Sequence, residues 1–259
     1  MSTFGGLSPP RGNNHTILAV CIILMTVAAW GALWYLDGPS HGFSHQHHHH
    51  AAGNTGQASL APLLFVGGWV LMTLAMMLPT SLPVLFVFSS ITRQRSNQAL
   101  LLALVITGYV LVWTLFGGIV YFSTFVLQSL AAANAWLINY SWVSAPVLLL
   151  VAGVFQFTPL KYKCLDKCRS PLSFVMGHWQ GRRERLQALR LGVDHGVFCV
   201  GCCWALMLLM FVVGIGSLLW MMVLAAVMGI EKNASWGRRL SAPLGVGLLL
   251  TAVTLLVLA

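Results

Sequence analysis

From Ala99 to Val126 the chain reads ALLLALVITGYVLVWTLFGGIVYFSTFV, without one charged residue. That exceeds the about 20 apolar residues a helix needs to cross the hydrocarbon of a bilayer. Runs of this kind recur along the sequence: 16–36, 61–90, 99–126, 143–160, 192–213, 216–230 and 242–258. With 58% hydrophobic and 7% charged residues, the apolar content is more than one soluble core of 259 residues can enclose. The alternating ten-residue pattern of an outer-membrane barrel is absent. The expected fold is all-α, a polytopic transmembrane helical bundle of six to seven spans. The sixth and seventh runs are the shortest. A tail, 1–15, precedes one helical domain over 16–258.

Charge orients this bundle. The fourteen Lys and Arg residues fall at Arg11, at Arg93 and Arg95, across 161–190, and at Lys232, Arg238 and Arg239. In a seven-pass arrangement all of them lie on one side, which should be the cytoplasm, with the N-terminus there too. The loop 37–60, the segment 128–142 and the turn 214–217 carry no Lys or Arg and fall on the other side. The formal charge of +9 is then a signature of topology and of contact with anionic lipid headgroups. It does not point to nucleic acid, because no recognition fold surrounds the basic residues.

Two connections stand out. The first, over 37–60, is rich in Gly, Ser and His and should be a flexible extracytoplasmic loop. Its imidazoles, His41, His45, His47, His48, His49 and His50, suit Cu(II), Ni(II) or Zn(II) without a preformed geometry. An expression tag is the competing reading, but tags are terminal and uninterrupted, whereas this run is internal and mixed. The second, over 161–191, is a basic cytoplasmic loop expected to turn helical after Gly181. It carries Cys164, Cys168 and His178.

Within the spans, MTLAMMLPTSLPVL holds Pro79 and Pro83, each lacking a backbone donor, so this span must bend. The hydroxyls of Thr80 and Ser81 are placed to satisfy the freed carbonyls. The bend is either a packing kink or a break lining a cavity beside Met72, Met76 and Met77. The fifth span opens DHGVFCVGCCW. At about 100° per residue, His195, Cys199 and Cys202 fall within an arc of about 60°. Cys203, Leu206 and Met210 extend that face and Met207 lies at its edge, giving a ladder about 22 Å long. Thiolates and thioethers suit Cu(I), and imidazole adds affinity for copper or zinc. Buried cysteine and methionine also serve simply as packing. Asp194 is a possible orienting partner for His195, although adjacent residues do not share a helix face.

Cys164 and Cys168 form C-x3-C, which brings the sulfurs together if the segment is helical. Reduced cytoplasmic thiols favour metal binding or transient redox use over a structural disulfide. Cys21 reads as packing, and Glu231 with Lys232 as a neighbouring ion pair or a helix end. The chain holds no G-x-S-x-G, P-loop or H-E-x-x-H motif and only five acids, so hydrolysis and ATP-driven pumping find no support.

The stretches AMMLPTSLPVL, FQFTPLKYKCLDKCRSPLSFVMGHW and LGVDHGVFCVGCCWALMLLMFVVGIGSLLWM, with the EK that follows, resemble a bacterial family of predicted metal-binding integral membrane proteins. The resemblance covers roughly 62–232 and implies a multi-pass protein of the bacterial inner membrane. Its motif positions here are Cys164, Cys168, His178, His195, Cys199, Cys202 and Cys203. Together these readings point to a metal-handling protein rather than an enzyme. Copper is the expected cargo, with zinc or no metal as alternatives. The His loop would collect metal, and the fifth-span face, with Met72 and Met76 opposite, would hold it for a partner metalloprotein. A membrane thiol-redox protein and an accessory subunit of a larger membrane complex are the competing readings.

Overall fold

A computed structural model describes residues 13–37, 55–133, 143–213 and 217–258. The His-rich run, with His41, His45, His47, His48, His49 and His50, lies outside the described residues, as do most of the tail and the segment 134–142. Among the described residues every regular element is helical. In chain order they are α1 (Asn13–Asp37), α2 (Thr55–Met76), a 3-10 turn (Pro79–Ser81), α3 (Leu82–Ile91) and α4 (Gln98–Ala133). Then come α5 (Ser144–Phe155), α6 (Pro159–Cys168), α7 (Pro171–His178), α8 (Glu184–Leu208), α9 (Met210–Val213), α10 (Leu218–Asn233) and α11 (Gly237–Leu258).

Four stretches, Thr16–Tyr35, Gln98–Leu130, Glu184–Val212 and Gly237–Leu258, are long and apolar enough to cross a membrane, and up to six if each bent helix pair counts as one span. The sixth apolar run, expected over 216–230, becomes α10, whose 16 residues fall short of the about 20 required. The outer faces of these helices carry large apolar side chains. Leu115, Ile119 and Phe122 on α4 are each more than 60% exposed, and Leu250 on α11 matches them. A belt of that kind needs an apolar covering. The central helix is α8, which packs most extensively against α4.

That α4–α8 seam depends on glycine. A Cβ on Gly192 would strike the Val105 backbone, and one on Gly108 would strike the carbonyl of Leu189. Between apolar helices, close backbone approach of this kind supplies the dispersion contacts that hold the pair together.

Both bends have covalent causes. Pro79 bends the α2–α3 pair by 46°. Thr158 bends the next pair, because it precedes Pro159 and is held extended (φ −73°, ψ 142°), out of the α region. Its side chain then accepts from the Lys161 backbone N–H, starting α6 at 67° to α5.

The stretch expected as a basic loop is instead folded: α6 and α7 account for most of 161–178, and α8 starts at Glu184, three residues after Gly181 (φ 73°). Leu165, Phe174 and Val175 enter the interior, and Lys161, counted among the topology-setting cations, is wholly buried. The physical reason is amphipathicity. The charges on Lys163 and Lys167 occupy the outer side of α6 and conceal its buried one.

Candidate metal centre

The break after α2 builds one wall. Tightening into a 3-10 turn redirects the Ser81 backbone N–H to Leu78, which frees the Met77 carbonyl. Three hydroxyls donate to that oxygen: Thr80 at 2.8 Å, Ser81 at 3.3 Å and Tyr109 at 3.4 Å. The hydroxyls expected to repair the bend do so, and Met77, wholly buried, is fixed with its thioether facing α8.

The facing wall is the ladder of α8. His195, Cys199, Cys202, Cys203, Leu206 and Met207 are all buried, and Met210 on α9 continues the stripe. The Cys202 and Cys203 thiols both donate to the Cys199 carbonyl, at 3.1 and 2.9 Å. Cys203 Sγ also lies 3.8 Å from Met77 Sδ, and Tyr109 Oη lies 3.0 Å from Cys199 Sγ. His195 directs Nε2 to Ser81 Oγ at 3.2 Å and stacks on Tyr109, while its buried Nδ1 has no hydrogen-bond partner.

The third wall is the end of α10. Lys232, 6% exposed, places Nζ 2.9 Å from Cys199 Sγ, 3.6 Å from Met77 Sδ and 3.3 Å from Thr80 Oγ1. Glu231, one residue earlier, points elsewhere. It meets Lys161 Nζ at 2.7 Å and accepts from Ser241 Oγ at 2.7 Å, while Lys161 also donates to Gln156. Arg169 ties the Glu231 carbonyl from α6 at 2.6 Å. The two residues read together as a local pair or helix end therefore serve two separate buried clusters. Two adjacent charges at the close of an apolar helix, in a chain of five acids, were the available signal.

The remaining expected ligands separate into two groups. Cys164 lies on α6 against Gly201, and Cys168 brings its thiol to Cys202. His178, by contrast, is half-exposed at the end of α7. It directs Nε2 to Asp194 at 3.2 Å, with Nδ1 2.7 Å from the Phe174 carbonyl. Asp194 thus reaches His178 and, at 3.7 Å, Arg190. Met72 and Met76 are buried in the same core, but the methionine against Cys203 is Met77. Cys21, read as packing, is exposed on α1.

Among the described residues, no three His, Cys, Asp or Glu side chains converge to hold a metal ion. What does converge is a mixed thiol and thioether set: Cys199 and Met77 meet at the Lys232 ammonium, and Cys203 lies against Met77. Soft sulfur donors of this kind match a soft monovalent cation and not a hard divalent one.

No curated protein and no solved structure matches the chain. A family model described as PpoB2, copper chaperone, matches residues 66–255, well over half of the sequence and including every sulfur of this site. The chain belongs to that family.

Proposed function

We propose that this copper chaperone is a multi-pass protein of the bacterial inner membrane that holds Cu(I) on the sulfurs of Cys199, Cys203 and Met77 and passes it to a metalloprotein partner. The observation that carries the reading is the convergence of Cys199 Sγ and Met77 Sδ on one point, at 2.9 and 3.6 Å from Lys232 Nζ, with Cys203 Sγ 3.8 Å from Met77. Soft sulfur donors suit Cu(I), with Met77 presented by the broken helix and Cys199 and Cys203 by α8. Cys202 and Cys168, in mutual contact, supply further thiols beside this set, and Cys164 lies on the same face of α6. His195 contributes a buried nitrogen without a partner.

The exposed apolar belt supports a membrane setting, and the distribution of Lys and Arg in the sequence fits seven passes with a cytoplasmic N-terminus if the 16-residue α10 is counted as a short sixth. The imidazoles of 41–50 then face the opposite side, where they collect copper before it enters the bundle.

The test is elemental analysis of detergent-purified protein lacking residues 38–54, so that the imidazoles do not scavenge metal. The parent should retain copper, and the triple variant Cys199→Ser, Cys202→Ser, Cys203→Ser should retain none. Equal copper in both would end this reading, and trapped mixed disulfides without copper would favour thiol redox chemistry instead.

A further inference from the structure

Lys232 is the unusual member of the sulfur site. Its ammonium is buried, and among the described residues it forms an ion pair with no carboxylate, because the adjacent Glu231 is taken by Lys161 and Ser241. Its neighbours are a thiol, a thioether and a hydroxyl. Burial of a cation requires compensation, and the groups nearest to this one are the same sulfurs that would bind metal. Two cations cannot share those sulfurs at this range.

Resting on the reading of Cys199, Cys203 and Met77 as the copper site, we propose that Lys232 is an internal stand-in cation: it fills the metal position of the empty chaperone and must swing aside for a monovalent soft ion to enter. The exchange is balanced in charge. At fixed protonation of the sulfurs, one positive charge leaves as another arrives, so the buried region gains none, whereas a divalent ion adds a charge that must be offset by further loss of thiol protons to solvent. The backbone around the lysine is held in place, with the Glu231 carbonyl on Arg169 and its carboxylate on Lys161, so the side chain is the part free to move. Lys232 is also one residue from the end of α10, where a long side chain can turn outward. Returning, the ammonium competes for the sulfurs and favours release. A chaperone needs both steps, since cargo held too tightly cannot be handed on.

The experiment uses the detergent-purified chain, with and without residues 38–54, and titrates Cu(I) against a chromogenic Cu(I) chelator, comparing the parent with Lys232→Leu, which adds no sulfur donor, and Lys232→Arg. If the lysine-out state is populated at one part in ten or less, removing the competitor tightens Cu(I) binding by about tenfold or more. Release to excess chelator should slow in proportion, and Lys232→Arg, which keeps the charge, should not tighten binding. Unchanged or weaker binding by Lys232→Leu, at parental stoichiometry, overturns the stand-in role while leaving the copper site intact. No Cu(I) bound by the form lacking residues 38–54 overturns both.

A second measurement needs no variant. Amine-reactive labelling of the parent, mapped by mass spectrometry, should rise several-fold at Lys232 on saturation with Ag(I) and not on addition of Zn(II). The exposed Lys163 and Lys167 serve as constant references. A lysine equally protected with and without Ag(I), or released equally by Zn(II), overturns the proposal.

Discussion

Lys161 and Lys232 both bury an ammonium in this fold, yet their surroundings share almost nothing. Lys161 faces a carboxylate, an amide and, through Glu231, the Ser241 hydroxyl. Nearly every partner there is polar, and the cluster ties α6, α10 and α11 to the turn at Gln156. Lys232 faces sulfur. The first cluster neutralises its own charge, leaving, among the described residues, only the Gln156 Nε2 of its polar groups without a partner, while the second is held together by a charge that a ligand can replace. Burial alone thus says little about whether an ionisable side chain fixes a fold or operates a site. The character of its partners decides.

Four substitutions probe that distinction. The largest effect should come from Glu231→Ala, which strands the Lys161 ammonium and should cost about 3–5 kcal/mol. Thermal unfolding in detergent and the yield of monodisperse protein measure it, and a parental melting point would remove the contrast between the two lysines. Ser241→Ala deletes one hydrogen bond to the same carboxylate and should cost roughly 1.5–3 kcal/mol, with Cu(I) affinity unchanged. A loss of copper there would mean that the clusters act as one unit. On the sulfur side, Met77→Leu keeps the volume, so stability should fall by less than about 1.5 kcal/mol. Its Cu(I) affinity should weaken about tenfold, equivalent to about 1.4 kcal/mol, in chelator competition. Smallest of all, His178→Ala removes a half-exposed pair with Asp194 and should change stability by about 0–1 kcal/mol and copper content not at all. Copper loss in that variant would return His178 to the ligand set.

Much of the helical scaffold was legible in the sequence because hydrophobic run length and helical periodicity are local properties. The shared face of His195, Cys199, Cys202 and Cys203 follows from spacing, and those residues are indeed buried together. Pro79 announced its bend, and Thr80 and Ser81 their part in repairing it. The role of Lys232 was not legible. It meets a cysteine 33 positions earlier and a methionine 155 positions earlier, and no periodicity encodes partners at that range. Its neighbour Glu231 obscured it further, since two opposite charges side by side read as a pair although a helix turns them about 100° apart. Residues 161–178 misled for a related reason: their outward charges look like a loop until Leu165 on α6 and Phe174 and Val175 on α7 are recognised as inward-facing. Cys21 differs as well, because its place in an apolar run did not show that it lies on the exposed side of α1.

The span between Glu231 and its partners also has a consequence for how the chain is made. Lys161 precedes Glu231 by 70 residues, and Ser241 follows it by 10. At synthesis rates of about 5–20 residues per second, the lysine is therefore made roughly 4–14 seconds before its counterion exists. Through that interval the nascent chain carries an ammonium destined for the interior without the carboxylate that neutralises it in the fold. The fold is closed late, by its last two helices, so a ribosome that stalls before Glu231 leaves a chain with most of its hydrophobic mass and none of its lock.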